Sequence, residues 1–523
     1  MPPRSAPPRS GLMLLALPLL AGAPGARAQS DATCKAGEAC AGRERKHYWP
    51  GPHGRPESYG TSPYAGPFDL TANLKWKWHH PDGPWADMPL AAVIDDEKNT
   101  YVSTDRGIWK LSPEGKALWS WTPSVLPLPG MNRHPDNLIP NGPALEGDLL
   151  FINDILGRFW ALDLETGRER WTTRPAKAGC TDTGFVTARK GVVMAATDPP
   201  EGTFDRCQTV RALNASTGET LWEYKADDGV WDLMVQYDDE DTIYFQDLSG
   251  KVYRNWLSNG TNIWKKGGRP FSWTDGTQFL GNDGIVYGVN TNNCGGPDCH
   301  GTLSAYDAAD GSFLWKQDTP RPPNSSPTVG KLGKGDRLSV IIPIGQQPNC
   351  LSAATIWWMM FPPTQYLPGV LQWFWFIFLH KLSVWLGDGQ QRLWRLPDLP
   401  TDVMAFDAKT GAPQWTWKGP TYHRFQCPGD ERWYLTRQGR QTRSASCPTP
   451  WSAPRIGADG TIYVGNQNGH FFAIKDINGD GSIDPDREVH DFDCGAEFSS
   501  AGSAHAPGLV VIASGDVVYA FGS

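Results

Sequence analysis

Leu150-Phe-Ile-Asn-Asp-Ile-Leu-Gly-Arg-Phe-Trp-Ala-Leu-Asp163-Leu-Glu-Thr-Gly167-Arg-Glu-Arg-Trp171 is the stretch whose reading decides the fold. An apolar run, a Gly turn, a second apolar run ending in Asp163, a Thr-Gly turn and a Trp follow one another. Alternating apolar residues with Gly, Asn and Asp between the runs predict antiparallel strands joined by tight turns. The phrase recurs in Tyr101 to Trp119, and again ending in Ala212-Leu-Asn-Ala-Ser-Thr-Gly218-Glu-Thr-Leu-Trp222. Further copies end at Trp264, Trp315 and Trp415, and a seventh, Ile462 to Asp476, exchanges its Gly turn and Trp for an acidic loop. From Trp119 the next four repeat tryptophans follow after 52, 51, 42 and 51 residues. A unit of roughly 40–50 residues holding four strands is the signature of a propeller blade.

The chain ends give the blade count. Gly508 to Ser523 is a repeat that stops before its Trp strand, and Leu74-Lys-Trp76-Lys-Trp78 is a Trp strand with no repeat before it. Joining them makes an eighth blade and removes the open edges of the array. The expected fold is all-β: an eight-bladed β-propeller of four-stranded antiparallel blades over residues 69–523, closed by the N-terminal strand. The Ala-Leu-Asp-x-x-Thr-Gly-x-x-x-Trp phrase resembles the pyrroloquinoline quinone (PQQ) repeat. That family includes eight-bladed quinoprotein alcohol dehydrogenases and the cofactor-free propeller of the bacterial outer-membrane assembly lipoprotein. The resemblance implies that Trp76, Trp119, Trp171, Trp222, Trp264, Trp315 and Trp415 dock against the neighbouring blade as packing residues, not as a cofactor box.

Composition excludes some functions. The 523 residues carry 48 basic and 56 acidic side chains, a net charge of −8, so no basic footprint for nucleic acid exists. With 39% hydrophobic and 20% charged residues the chain is not wholly disordered. Residues 1–28 read as a signal peptide: basic Arg4 and Arg9, an apolar Leu12 to Leu20, and Ala26-Arg27-Ala28 as cleavage site. A secreted or periplasmic, monomeric propeller follows, with a Cys-containing extension at 29–68. The ten cysteines, none in the signal peptide, read as disulfides in an exported chain. Spacing suggests Cys34–Cys40, Cys294–Cys299, Cys427–Cys447 and Cys180–Cys207, with Cys350 and Cys494 left over; other connectivities stay open. Asn214, Asn259 and Asn324 begin glycosylation acceptor triplets, relevant only in a eukaryotic source.

Site chemistry is sparser. The dehydrogenases that the repeat resembles hold PQQ over the axis with calcium, between a Trp floor and a disulfide of adjacent cysteines. This chain has no Cys-Cys pair, and of their His-His-Asp-x-Trp-Asp segment only Trp231 and Asp232 remain in Asp227-Asp-Gly-Val-Trp-Asp232. Trp231 is the candidate cofactor contact. Asp232 is a candidate base or calcium ligand, against the plainer role of capping its loop. His79 and His80, beside Pro81-Asp82, read as exposed turn histidines. Asp476-Ile-Asn478-Gly-Asp480-Gly-Ser482-Ile-Asp484-Pro-Asp-Arg-Glu488 matches the first nine positions of an EF-hand-type calcium loop, because alternate oxygens suit a hard cation. Its closing Glu488 stands one place late, after Arg487. Candidate metal ligands are Asp476, Asn478, Asp480, Ser482, Asp484 and Glu488.

An insertion at 346–400 is rich in Trp and apolar residues, yet its apolar run from Val370 to Leu379 is shorter than the roughly 20 residues a spanning helix needs. Residues 351–396 are expected to meet a membrane surface or a protein partner, or else to cap the ring. Two functions stay in view: a non-catalytic binding or scaffold propeller, and a quinoprotein-type oxidoreductase using PQQ and calcium on an alcohol or sugar.

Overall fold

The computed structural model describes residues 45–522 except 57–58, 84–87, 89–91, 105–106, 124–140, 155, 177–183, 198–206, 231, 270–271, 273, 275, 293–299, 324, 334–335, 346–399, 422–449, 497 and 499–501. The signal peptide, Trp231, the bulk of the insertion and every cysteine except Cys207 and Cys494 therefore fall outside the described residues.

Eight four-stranded antiparallel sheets form a ring, each ordered as a simple meander from an innermost to an outermost strand. In blade 2 the four are Ala144–Glu146, Leu149–Asn153, Phe159–Asp163 and Glu169–Thr173. The outermost strand of the last blade is Leu74–His79, which pairs with Val517–Phe521 from the other end of the chain. The ring is thus closed by its termini, and no blade is left with a bare face.

Each repeat phrase does the same physical work. The Asp closes the turn that follows: Asp163 Oδ1 accepts from the Thr166 amide at 2.8 Å and from its hydroxyl at 2.7 Å. The Gly adopts a left-handed φ, and the preceding blade's Trp lies flat against it. A Cβ on Gly218 (φ 74°) would approach Trp171 to 2.7 Å, so only glycine fits. The indole N–H then donates to a backbone carbonyl of the next blade: Trp76 to Pro113, Trp171 to Ala215 and Trp222 to Leu257, each at 2.8 Å. Trp119, Trp264 and Trp315 do likewise with Leu164, Ala308 and Ala408. Trp415 packs at the blade 6–7 boundary, where the glycine turn is replaced by the acidic loop.

The meander fixes two faces. Turns between first and second strands, and between third and fourth, lie on one face. Connections between blades, and those between second and third strands, lie on the other. The Asp476–Glu488 loop joins Phe471-containing His470–Ile474 to Val489–Asp493 and so belongs to the turn face. The insertion joins Ser339–Gly345 to Thr401–Asp407 and leaves from the connection face, where Gly345 pairs with Thr401.

The extension before Leu74 enters the ring. Arg45 pairs with Asp96, Glu97 and Asp148 in the turns of blades 1 and 2, which anchors the segment on the turn face. Trp49 exchanges two backbone hydrogen bonds with Ile94 of blade 1, and Pro50 accepts from Leu145 of blade 2. Residues 50–56 enclose a small cavity of about 30 Å3 with Thr187 and Ala188 of blade 3. The Tyr59 hydroxyl accepts from the Tyr237 amide of blade 4, and His53 packs edge-on against Phe279 of blade 5. Gly60 (φ 65°) presses on Thr328 of blade 6 and shares backbone hydrogen bonds with Ile456 of blade 7. Trp49 stacks on His505 of blade 8, centroids 5.3 Å apart. One segment touches the innermost strand of every blade and plugs the ring from the turn face.

Candidate functional site

With the turn face plugged, access to the axis runs through the connection face. Each connection leaves an outermost strand for the start of the next innermost strand, and 124–140 and 422–449 in the two longest lie outside the described residues. Polar residues of the described connections are drawn inward. Asn141 donates to Asn153 Oδ1 at 2.6 Å and accepts from the Gly184 amide at 2.9 Å. Gln278 donates to the carbonyls of Met234 and Tyr244, both at 2.9 Å, and Gln236 accepts from the Leu280 amide. Thr277 and Ser326 share a hydroxyl hydrogen bond. Several buried atoms here find no protein partner: Gln236 Nε2, Gln278 Oε1, Ser325 Oγ and Asn153 Nδ2. Groups of this kind require water or a polar ligand in the channel.

Deeper, against the plug, lie three nitrogen bases. Arg455 is fully buried, and its guanidinium donates to the carbonyls of Pro52 (2.6 Å) and Pro454 (3.1 Å). Burial lowers its pKa to about 9. His505, hydrogen bonded to Ser503 at 2.8 Å, is lowered to about 3 by burial and then by Arg455. His53 is held well below its ordinary value by the same two causes, and neither of its ring nitrogens has a partner. Both imidazoles are therefore neutral at physiological pH.

The sequence candidates are scattered over this frame. Asp232 is buried, 3% exposed, in the connection between blades 3 and 4, and it has a left-handed φ of 46°. For a non-glycine residue that backbone is uncommon and strained. Trp231 beside it lies outside the described residues. His79 is exposed as expected, but His80 is not. It is 8% exposed, its Nδ1 accepts from the Asp82 amide, and its ring packs against Trp78 and Trp109. The reading of His80 as an exposed turn histidine is corrected by that aromatic contact, which no local sequence pattern signals.

The six candidate metal ligands are brought into one loop far from Asp232. Asp476 accepts from the amides of Gly479 (2.6 Å) and Gly481 (3.0 Å), and Asn478 from that of Asp480. Asp480 accepts from Ser482 amide and hydroxyl, and Asp484 from the Asp486 amide. Glu488 closes the loop. It is 2% exposed, and its carboxylate accepts from the amides of Ile477 (2.8 Å), Asn478 (3.1 Å) and Asp484 (2.9 Å). Those amides, that of Asp484 foremost, hold its pKa below the usual carboxylate range. Among the described residues no three His, Cys, Asp or Glu side chains are disposed as metal ligands.

Among the described residues no set of donors is assigned to a calcium-bridged quinone over the axis. The described connections between blades present neutral amides and hydroxyls with the carboxylate of Asp232, and Asp154, Asp247, Asp402 and Asp516 are buried elsewhere on the connection face. No reaction step is derived through such a group. Sequence reasoning missed the plug altogether, since residues 45–66 carry neither strand nor helix periodicity.

Comparison with known proteins places this geometry. Residues 104–270 match the family model described as outer membrane protein assembly factor BamB. The quinohemoprotein alcohol dehydrogenase ADH IIB of Pseudomonas putida is 29% identical over 177 residues, 33% of this chain and 24% of that protein. Polyvinylalcohol dehydrogenase of Sphingopyxis sp. (strain 113P3) is 27% identical over 364 residues, 65% of this chain and 43% of that protein. The chain thus spans a quarter to under half of the length of these curated relatives. Among solved structures, BamB from Moraxella catarrhalis superposes with a TM-score of 0.52 at 12% identity, covering 86% of this chain and 99% of that one. Quinohemoprotein alcohol dehydrogenase from Comamonas testosteroni gives 0.56 at 14% identity, covering 91% and 80%. The chain is a PQQ-repeat, quinoprotein-like β-propeller, related both to an assembly factor and to dehydrogenases.

Proposed function

We propose that this propeller is an exported, non-catalytic binding or scaffold protein. The observation that carries the reading is the donor set of the axial mouth, in which Asn141, Gln236, Gln278, Thr277 and Ser326 offer neutral hydrogen-bonding groups. Such a lining suits water or a polar ligand. Export is supported by the signal-like residues 1–28, by the disulfide that Cys207 makes, and by relatives that include an outer membrane assembly factor. Attachment to a membrane surface or a partner would use residues 351–396; among the described residues no helix is long and apolar enough to cross a membrane.

A second reading, a PQQ- and calcium-dependent dehydrogenase, draws on the two dehydrogenase relatives and on the buried, strained Asp232. One experiment separates the two. The full chain, and the chain lacking 351–396, are titrated with PQQ and calcium and floated with liposomes. The scaffold reading expects no stoichiometric quinone spectrum, no dye-linked oxidation of alcohols, and flotation or partner recruitment only with 351–396 present. Tight PQQ binding with dehydrogenase activity would overturn it.

A further inference from the structure

Each blade boundary has a position where the gap between neighbouring sheets must be filled. Two residues after the repeat Trp, the outermost strand points a side chain at the third strand of the next blade. Five boundaries place a ring on each side: Trp78 on Trp109, Trp121 on Trp160, Tyr224 on Tyr253, Trp417 on Phe472 and Phe492 on Tyr519. Their centroids lie 5.2 to 5.9 Å apart, within the range of favourable aromatic pairs. Between blades 2 and 3 the buried Arg211 takes the place, and between blades 5 and 6 Met404 does. Between blades 4 and 5 the two residues are Lys266, which is exposed, and Ser304.

The cross-strand neighbours sharpen the difference. The third-strand residue is paired with Val102, Ile152, Ala195, Phe245, Ile342, Val464 or Ile512 in the other blades. In blade 5 Ser304 is paired with Gly288. Blade 5 therefore has the smallest pair of the eight, opposite a lysine that turns to solvent, and a cleft of about 120 Å3 opens there. A cavity of ~150 Å3 accepts one benzene ring, so this cleft has the scale of a single six-membered ring.

Its walls specify the chemistry. The blade 4 side is the backbone of Gly267 and Gly268, followed by Arg269, which is exposed. The blade 5 side offers the hydroxyls of Thr302, Ser304 and Tyr306, with Lys316 at the edge. Phe313, 60% exposed, stands edge-on to Tyr306 and gives a ring face at the entrance. Among the described residues no carboxylate lines the cleft, and Asp318 pairs with Lys316 at its edge at 3.0 Å. We propose that the blade 4–5 cleft binds one sugar ring bearing a carboxylate, a hexuronate, in the place that an aromatic pair fills elsewhere. The apolar face of the ring lies on Phe313, its hydroxyls replace water on Thr302, Ser304 and Tyr306, and its carboxylate meets the fork of Arg269. The cleft lies on the flank of the ring, so its failure would leave the scaffold reading of the axial mouth untouched.

The test uses the full chain with D-glucuronate, D-glucose and benzoate as probes, read by calorimetry and by saturation transfer. Glucuronate is expected to bind, glucose more weakly, and benzoate not measurably. Arg269→Ala, at an exposed position, should weaken glucuronate at least roughly tenfold, as loss of a charge-assisted bidentate contact does, and leave glucose unchanged. Ser304→Trp, which restores the ring found in other blades, should abolish binding and raise the melting temperature. Failure of wild-type protein to bind glucuronate, equal affinity for benzoate, or undiminished binding by Arg269→Ala would each overturn the proposal.

Discussion

Glu146 ends the innermost strand of blade 2 and reaches across to blade 3, where both carboxylate oxygens accept from the Gly191 amide at 3.1 and 3.2 Å. Burial at this boundary raises its pKa to about 7, opposed by the amides of Gly191 and Lys190 and by the Arg189 charge. The other charge on that turn, Lys190, is engaged by Asp241, and Arg189 lies over the Tyr237 ring. An acid whose pKa is raised on folding contributes full stability below its unfolded value and loses it as pH rises through the folded one. Between about pH 4.5 and 7 the wild type should therefore lose up to about 3 kcal/mol through this group. Glu146→Gln keeps the hydrogen bond without the buried charge, so its melting temperature should exceed that of wild type at pH 8 and match it at pH 4. Parallel pH profiles for the two proteins would refute this. Not every residue was as hidden as this one. The docking of Trp171 on the next blade was legible through the resemblance of its phrase, although the seat on Gly218 was not. Nor was Glu146, because its partner lies 45 positions away in another repeat.

Among the elements, the loop Asp476–Glu488 carries the clearest local motif. The alternating oxygens were legible, and so was their turn-forming role, since Asp and Asn accept from amides two or three residues on. The closing position was not legible, because Glu488 acts from one place beyond the pattern and the strand Val489–Asp493 sets its depth. We propose that the loop also takes calcium as a structural ion. Chelator should then lower the melting temperature of wild type but not of Asp480→Ala, since an ion bound only to the folded state adds stability. Glu488→Ala should cost about 2 kcal/mol with or without ion, as it strands three amides. Identical melting with and without chelator would leave a turn and no metal site. The missing aromatic pair of blade 5 was also written in the sequence, as Gly288 and Ser304. It became readable only once strand register showed that the two face one another.

At the scale of the molecule, the repeats specified eight blades and their closure, because the alternation recurs in every blade and the Trp and Gly in most of them. The plug was beyond such reading, since its contacts are single carbonyls, amides and rings spread over all eight innermost strands. Deleting residues 1–66 should leave the ring folded but lower its stability by about the 3–5 kcal/mol of one core aromatic truncation, because Trp49 and Tyr59 leave buried sites. Scanning calorimetry should show one transition at reduced temperature, and an unchanged transition would contradict the plug's role. Closure by the termini has a further consequence for the order of events. Leu74 pairs with Phe521, 447 positions later, whereas neighbouring strands within a blade meet across a few residues. Joining ends so distant costs about 4 kcal/mol more in chain entropy than a hairpin of roughly five residues. The seam must therefore be the last contact made, after blades 1 to 7 have formed from local pairings. The strand that precedes the other blades in the chain is thus the one that waits longest for its partner. Until then the backbone of Leu74–His79 has no strand to pair with, although Trp76 and Trp78 can already reach Pro113 and Trp109 of blade 1. The nascent chain carries this strand edge unpaired, and a holding chaperone that reads extended backbone would find its target at Leu74–His79.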